Sequence, residues 1–293
     1  MTLKEFSKRA EYFIELVGLA IDSIGQVIID NKYALIQLHA EDSAAIVPPV
    51  GMDPPSFDEV LFYTNFLAYA HDIPAFIWPD KGRALIKPIE RGRASYINQS
   101  YYISLRSAYE AVNSFRFGPL TYVYFRWPGF NETTHLPLTV KYSLVSKEVG
   151  LYSTAIRQLD PLSEFLCYYR IIESISGDNG KDWISINLSR LGNYNFGFLE
   201  IEVVGEELIR KNQRRENLFS YYRRRALSRL GTLTTRLPKK SIAEYFYNEN
   251  RCGIAHGRTD VKTYDFGFNI REISQDIYIL KLLARMAIED ECK

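Results

Sequence analysis

The sequence predicts an α+β domain over residues 1–140, followed by an all-α helical bundle over residues 141–293. Three observations carry this expectation. Before Asn131 the chain holds short apolar and β-branched runs separated by turn residues, with one strongly signalled helix among them. From Val145 onward, apolar residues recur at helical spacing between capping and stop signals. With 293 residues the chain suffices for two ordinary domains, and its 46% hydrophobic content gives each a core without staples.

In the first half, Val27-Ile28-Ile29 and the run Tyr33 to Leu38 flank Asp30-Asn31-Lys32. Such an Asx-rich turn between β-branched runs predicts a hairpin, while the part before Gly25 is also open to a helical reading. The proline-dense stretch Val47 to Pro55 is a loop. Ser56 is an N-cap for a helix over Phe57 to Ala70, which His71-Asp72-Ile73-Pro74 ends. A short strand is expected at Ala84 to Pro88 and a helix around Ser104 to Asn113. Leu120 to Trp127, aromatic and β-branched, is a strand. The domain boundary falls between Asn131 and Tyr142, where turn residues cluster.

The second half opens with a helix over Val145 to Gln158. Asp160-Pro161 then starts another, an acid at the N-cap and proline at the first helical position. Leu162, Phe165, Leu166, Tyr169 and Ile172 mark its buried stripe, and Gly177-Asp178-Asn179-Gly180 stops it. A loop with a short apolar run, Phe198 to Val204, follows. The next helix is expected from Glu206 to about Leu230 and is basic along its length, with Arg210, Lys211, Arg214, Arg215, Arg223, Arg224, Arg225 and Arg229. Ser241 caps a further helix. The last, from about Ile270, sets Ile273, Ile277, Leu280, Ala284 and Ala287 or Ile288 on one face.

Composition and motif content argue against several function classes. Net charge is +1, so attraction for nucleic acid has to come from a local patch. Cys167, Cys252 and Cys292 are odd in number and lack CxxC spacing, which suits a reducing compartment and neither a disulfide framework nor a zinc site. The N-terminus lacks a signal-peptide profile and no run is long enough to span a bilayer, so a cytoplasmic protein without membrane partners is expected. There is no P-loop, no GxGxxG opening a helix, no HExxH and no GxSxG.

The densest potential chemistry lies in Tyr247 to Arg258, which puts Arg251 and His256 five positions apart with Gly257 directly after the histidine. On a regular helix that separation is a rotation of about 140° and a rise of about 7.5 Å, so the two side chains border a common groove rather than share one face. RNA cleavage by its own 2′-hydroxyl needs a base, an acid and cations for the crowded phosphate. Histidine can serve either proton role, and arginine forks onto phosphate oxygens. Two copies of the pair, facing across a two-fold axis, would supply all of these without a metal. Cys252 and His256 have helical i,i+4 spacing, but two ligands are too few for a metal site. The basic helix is either a track for RNA phosphates or a solvated face. Glu173 either orients Arg251 across the bundle or pairs with Arg170 at i,i+3. His71-Asp72 reads as a helix end rather than as an acid/base pair.

Arg251-x-x-x-x-His256 on a helix, followed by Gly257 and an amphipathic helix, resembles the signature of the HEPN superfamily (higher eukaryotes and prokaryotes nucleotide-binding). Leu159-Asp160-Pro161-Leu162 with Tyr168 to Ile175 is similar to the first core helix of ApeA-like and MauJ-like HEPN proteins. The resemblance spans roughly Val145 to Lys293. It implies a HEPN-type bundle that homodimerises through the motif face and acts as a metal-independent endoribonuclease, with Arg251 and His256 catalytic and no cofactor. Many active family members carry Asn, Asp or His directly after the arginine. Here that residue is Cys252, a weak hydrogen-bond partner. Either Asn248, a turn earlier, takes over on that face, or nuclease activity is reduced or absent.

The expected function is therefore a homodimeric HEPN endoribonuclease in anti-phage defence or stress response. Arg251 and His256 would be catalytic, Asn248, Cys252 and Glu173 supporting, and Arg214, Arg215, Arg223, Arg224 and Arg225 RNA-binding. The N-terminal domain would meet a trigger ligand or protein, or place substrate. The alternative is a non-catalytic HEPN module that binds nucleotide, RNA or protein in an accessory role.

Overall fold

The computed structural model describes residues 12–16, 19–21, 26–29, 33–37, 43–47, 53, 56–72, 75–79, 121–125, 134–136, 143–158, 160–196, 201–205, 216–237, 241–256 and 270–292. The chain divides into two compact units: Met1–Ser143 with Phe198–Glu216, and Leu144–Gly197 with Asn217–Lys293.

The first unit contains β1 (Tyr12–Leu16), β2 (Leu19–Ile21), β3 (Gln26–Ile29), β4 (Tyr33–Gln37), β5 (Ser43–Val47), α1 (Phe57–His71), β6 (Ala75–Pro79), β7 (Thr121–Phe125) and β8 (Thr134–Leu136). It also takes in β9 (Ile201–Gly205), which is followed by β10 (Glu216–Asn217). One sheet has the strand order β6-β1-β5-β4-β3-β8, the other β10-β9-β7-β2. β3 and β4 pair antiparallel with Ile29 opposite Tyr33. The turn between them, the strand expected at Ala84 to Pro88 and the helix expected at Ser104 to Asn113 lie outside the described residues.

α1 starts where the sequence places it, because Ser56 and Glu59 form a reciprocal capping box. The Ser56 hydroxyl accepts from the Glu59 N–H at 3.3 Å, and the Glu59 carboxylate accepts from the Ser56 N–H at 2.9 Å. It ends on Asp72, which takes a left-handed conformation (φ 56) and donates its N–H to Ala68 O. Asp72 is therefore part of a helix end.

The second unit is helical. Its elements are α2 (Ser146–Arg157), α3 (Pro161–Ser176), α4 (Lys181–Asn187), a 3₁₀ turn (Leu188–Gly192), α5 (Leu218–Arg236), α6 (Ile242–Glu244), a π-helical turn (Tyr245–Arg251), α7 (Cys252–His256) and α8 (Ile270–Glu291). α3 begins with the Asp160 carboxylate accepting from the N–H groups of Leu162 and Ser163. It stops at Gly177, whose φ of 73 suits glycine alone at no steric cost and whose N–H donates to Glu173 O. The buried stripe of α3 is rotated from the expected one. Tyr168 and Ile171 are fully buried beside Phe165, Tyr169 and Ile172, whereas Leu162 and Leu166 are only partly covered.

Two expectations change here. The apolar run after the α3–α4 region is a strand, β9, that pairs antiparallel with β7. The basic helix that carries Arg223 to Arg229 runs from Leu218 to Arg236, because Glu216 and Asn217 before it are extended in β10. Arg210, Lys211, Arg214 and Arg215 lie outside the described residues.

α8 packs against α3 and α5, and α2 packs against α3. The expected face of α8 is buried as predicted, but the helix is central rather than amphipathic. Asp276, Lys281, Arg285 and Glu289 are buried along with its aliphatic residues. Charges so placed have to be neutralised locally. Arg285 donates from Nε to Glu289 at 3.0 Å and lies 4.3 Å over the Phe219 ring. Lys281 reaches the Tyr222 hydroxyl at 3.4 Å and lies 4.5 Å from that ring's centroid. Among the described residues, no helix is long and apolar enough to cross a membrane.

Candidate functional site at the arginine-bearing π-turn

The stretch that carries the motif begins with a second capping box, in which Ser241 Oγ accepts from the Glu244 N–H at 3.0 Å and Glu244 accepts from the Ser241 N–H at 3.2 Å. A helix so started would ordinarily continue as α. Instead Tyr245–Arg251 is π-helical, and the Cys252 N–H donates to Tyr247 O, five residues back. A π-turn encloses one residue more than an α-turn and is seldom formed without compensating contacts.

Those contacts converge on Asp276 of α8, which has no exposed surface. Its Oδ2 accepts from the Tyr245 hydroxyl at 2.8 Å and from Asn250 Nδ2 at 3.0 Å, both on the π-turn. Its Oδ1 accepts from Arg229 Nε of α5 at 2.6 Å. One carboxylate thus ties the π-turn to both α5 and α8. Burial raises the Asp276 carboxyl above its ordinary value, and the donors of Arg229, Tyr245 and Asn250 oppose that rise. Burial likewise pulls the Arg229 guanidinium down, but Asp276 outweighs it and holds the guanidinium above its ordinary value.

On the other side of the turn, Arg251 Nε donates to Glu173 Oε1 of α3 at 2.9 Å, with side-chain exposures of 26% and 19%. Of the two partners open to Glu173, the structure pairs it with Arg251. Burial lowers the Arg251 guanidinium and Glu173 more than restores it, so the arginine stays charged. Its Cζ lies 5.9 Å from the centroid of Tyr247, whose ring in turn lies 6.4 Å from that of Tyr169. The Tyr169 hydroxyl donates to Asn179 O at 2.8 Å, and burial followed by the Glu173 charge pushes its pKa upward.

The remaining sequence candidates separate. Cys252 is buried, whereas Asn248 is exposed. The two residues thus differ in exposure although they are four apart, with the π-turn altering the α-helical register on which their pairing rested. His256 closes α7, and its side chain lies outside the described residues. Arg223 donates from Nη2 to the Tyr194 carbonyl and sits 5.6 Å from the Phe196 ring centroid, which commits it to the fold. Arg224 and Arg225 are exposed, each 5.3 Å from the Tyr221 ring centroid. The basic helix is also less basic than it reads. Arg229 is paired with Asp276, and Arg236 donates to Glu272 at 2.8 Å.

Sequence reasoning missed Asn250, Tyr245 and Asp276, and read Arg229 only as one of the basic set. The only signal was their polarity at positions that periodicity would bury. Among the described residues, no group of three or more His, Cys, Asp or Glu is placed to hold a metal ion.

No curated protein and no solved structure matches the chain. Residues 149–289, from within α2 to near the end of α8, match the family model described as "Methylamine utilization protein MauJ", and that match supports a C-terminal domain of this family.

Proposed function

We propose that the helical unit is a HEPN-type module that acts on RNA, a homodimer that cleaves the strand without a metal. The observation that carries this reading is the placement of Arg251. It is a permanently charged group, one quarter exposed, oriented by Glu173 at 2.9 Å and set on an anchored turn five residues before His256. A guanidinium held in this way loses little freedom on binding phosphate. The 2′-oxygen would attack phosphorus while one His256 takes its proton. The bond from phosphorus to the 5′-oxygen breaks, and His256 of the partner subunit protonates the leaving oxygen. The products are a 2′,3′-cyclic phosphate and a 5′-hydroxyl. Among the described arginines of the basic set, Arg224 and Arg225 are exposed and would meet an incoming strand. The first unit, read as α+β, would sense a trigger or place substrate, in a setting of anti-phage defence or stress response.

Two observations favour a second reading, a non-catalytic module that binds nucleotide, RNA or a protein partner. Cys252, a weak hydrogen-bond partner, is buried where active relatives carry a polar group, and Asn248 is exposed to solvent. The matched family is described by methylamine utilization, which suits an accessory role in that metabolism.

Incubating the full chain with a mixed RNA pool in EDTA separates the two. Loss of intact RNA with wild type, but not with Arg251→Ala or His256→Ala, supports the nuclease. Intact RNA retained on the protein in a mobility-shift gel supports the binding module. Neither cleavage nor retention would sink the RNA reading altogether.

A further inference from the structure

The loop between α3 and α4 carries to Arg251 a cation that the motif does not contain, and we infer that Lys181 and the Tyr247 ring complete an RNA-binding subsite beside that arginine. The inference rests on the RNA reading above and names what on this chain would hold the strand.

The loop is built to fix Lys181. Gly177 and Gly180 both take left-handed conformations, φ 73 and φ 75. A Cβ at Gly180 would lie 3.1 Å from Ile172 Cγ2, so the position is closed by packing as well as by conformation. The Gly180 N–H donates to Asp178 Oδ1 at 2.6 Å, and the Lys181 N–H donates to Asn179 Oδ1 at 3.1 Å. Asn179 O in turn accepts the Tyr169 hydroxyl. From this base Lys181 Nζ stands 5.3 Å from the Tyr247 ring centroid. Arg251 Cζ, arriving from the π-turn, stands 5.9 Å from the same centroid. Two cations from segments seventy residues apart in sequence (251 − 181) thus meet on one half-buried ring.

The charges around them decide what the pair can bind. Arg251 has Glu173 on its Nε edge. Asp178 stays ionised, because the Gly180 N–H and the Ser176 hydroxyl donate to its Oδ1 and hold it below its ordinary value, and the Lys181 charge adds to that effect. Among the described residues, no carboxylate lies within ion-pair distance of Lys181 Nζ. A partly exposed lysine without an ion pair among the described residues, sharing the Tyr247 ring with an oriented guanidinium, suits a single strand whose phosphates meet the cations while a base packs against the part of the ring left exposed. An acidic protein segment would use the cations but not the ring.

The test is fluorescence anisotropy of a labelled 2′-O-methyl RNA oligonucleotide, which cannot be cleaved, with the full chain over a range of salt. Lys181→Ala is expected to weaken binding several-fold at low salt and to flatten the slope of log K against log salt by about 0.7, one single-strand phosphate contact. Lys181→Arg should keep both affinity and slope. Tyr247→Leu should weaken binding on the order of tenfold with the slope unchanged, as loss of stacking does. Wild-type affinity and slope in Lys181→Ala overturn the inference, as does wild type that ignores the oligonucleotide but binds a polyglutamate peptide. If the oligonucleotide binds with these variant effects while natural RNA stays intact, the subsite stands and the nuclease reading falls.

Discussion

Replacing Asp276 with alanine removes the acceptor on which α5, the π-turn and α8 converge. The size of the effect follows from burial. Arg229 is only 6% exposed and would keep only the longer contact to Glu272 at 4.0 Å, so losing its close partner costs at most about 3–5 kcal/mol, the penalty of a buried charge left unpaired. The Tyr245 hydroxyl and the Asn250 amide lose their acceptor at the same time, at about 1–3 kcal/mol each. These terms share one site and do not add, so a loss of about 5 kcal/mol is expected, comparable to the whole stability of a modest domain. Urea unfolding followed by far-ultraviolet circular dichroism reads this as a lower midpoint at unchanged slope. The double variant Asp276→Leu with Arg229→Met provides the control: replacing both charges by apolar groups of similar volume should recover much of the loss. Tyr245→Phe, which removes one donor and leaves the ion pair, should cost only about 1 kcal/mol. A loss below about 1 kcal/mol in Asp276→Ala, or no recovery in the double variant, would refute the argument that this carboxylate holds the motif turn.

Four further outcomes are expected. Glu173→Gln should destabilise the helical unit by about 1 kcal/mol, discounted for partial exposure, and leave Arg251 less ordered; thermal unfolding and the Arg251 Nε–H signal by nuclear magnetic resonance report these. Gly177→Ala should cost about 1–2 kcal/mol in a denaturant titration, because φ 73 is unfavourable for alanine even though nothing crowds its Cβ. Asp178 is held below its unfolded value of 3.8 by the Gly180 N–H first and the Ser176 hydroxyl second. Its contribution to the loop is therefore present above 3.8 and lost as pH falls through the lower folded value, which the pH dependence of the Gly180 amide resonance will show. Reversing charge at Arg224 and Arg225 should weaken RNA binding without lowering the melting temperature, whereas Arg223→Ala should lower the melting temperature by freeing the Tyr194 carbonyl and the Phe196 ring.

The parts of this molecule that are written locally could be read from the sequence. Asp160 and Pro161 start α3, Gly177 ends it, and Ser241 with Glu244 caps the motif helix, because each signal acts within a few residues. The apolar positions chosen on α8 are buried for the same reason. What escaped is non-local. α8 reads as amphipathic from its own residues, yet neighbours on several sides bury Asp276 and Arg285 as well. The arginines of α5 read as unbalanced because their acids, Glu272 and Asp276, lie on a helix 36 and 47 residues away. The π-turn has no propensity signature, since it depends on an acceptor 26 residues beyond Asn250. An α-helical register sets Asn248 on the face of Cys252, whereas in the structure Asn248 is exposed and Cys252 buried.

If Arg251 and His256 cut RNA through its own 2′-hydroxyl, the product ends carry the mark of that chemistry. In EDTA, wild type should yield 2′,3′-cyclic phosphate and 5′-hydroxyl termini, and Arg251→Ala, if still folded, should yield neither. RNA left uncut by wild type, or the same ends formed at an undiminished rate by Arg251→Ala, would contradict it.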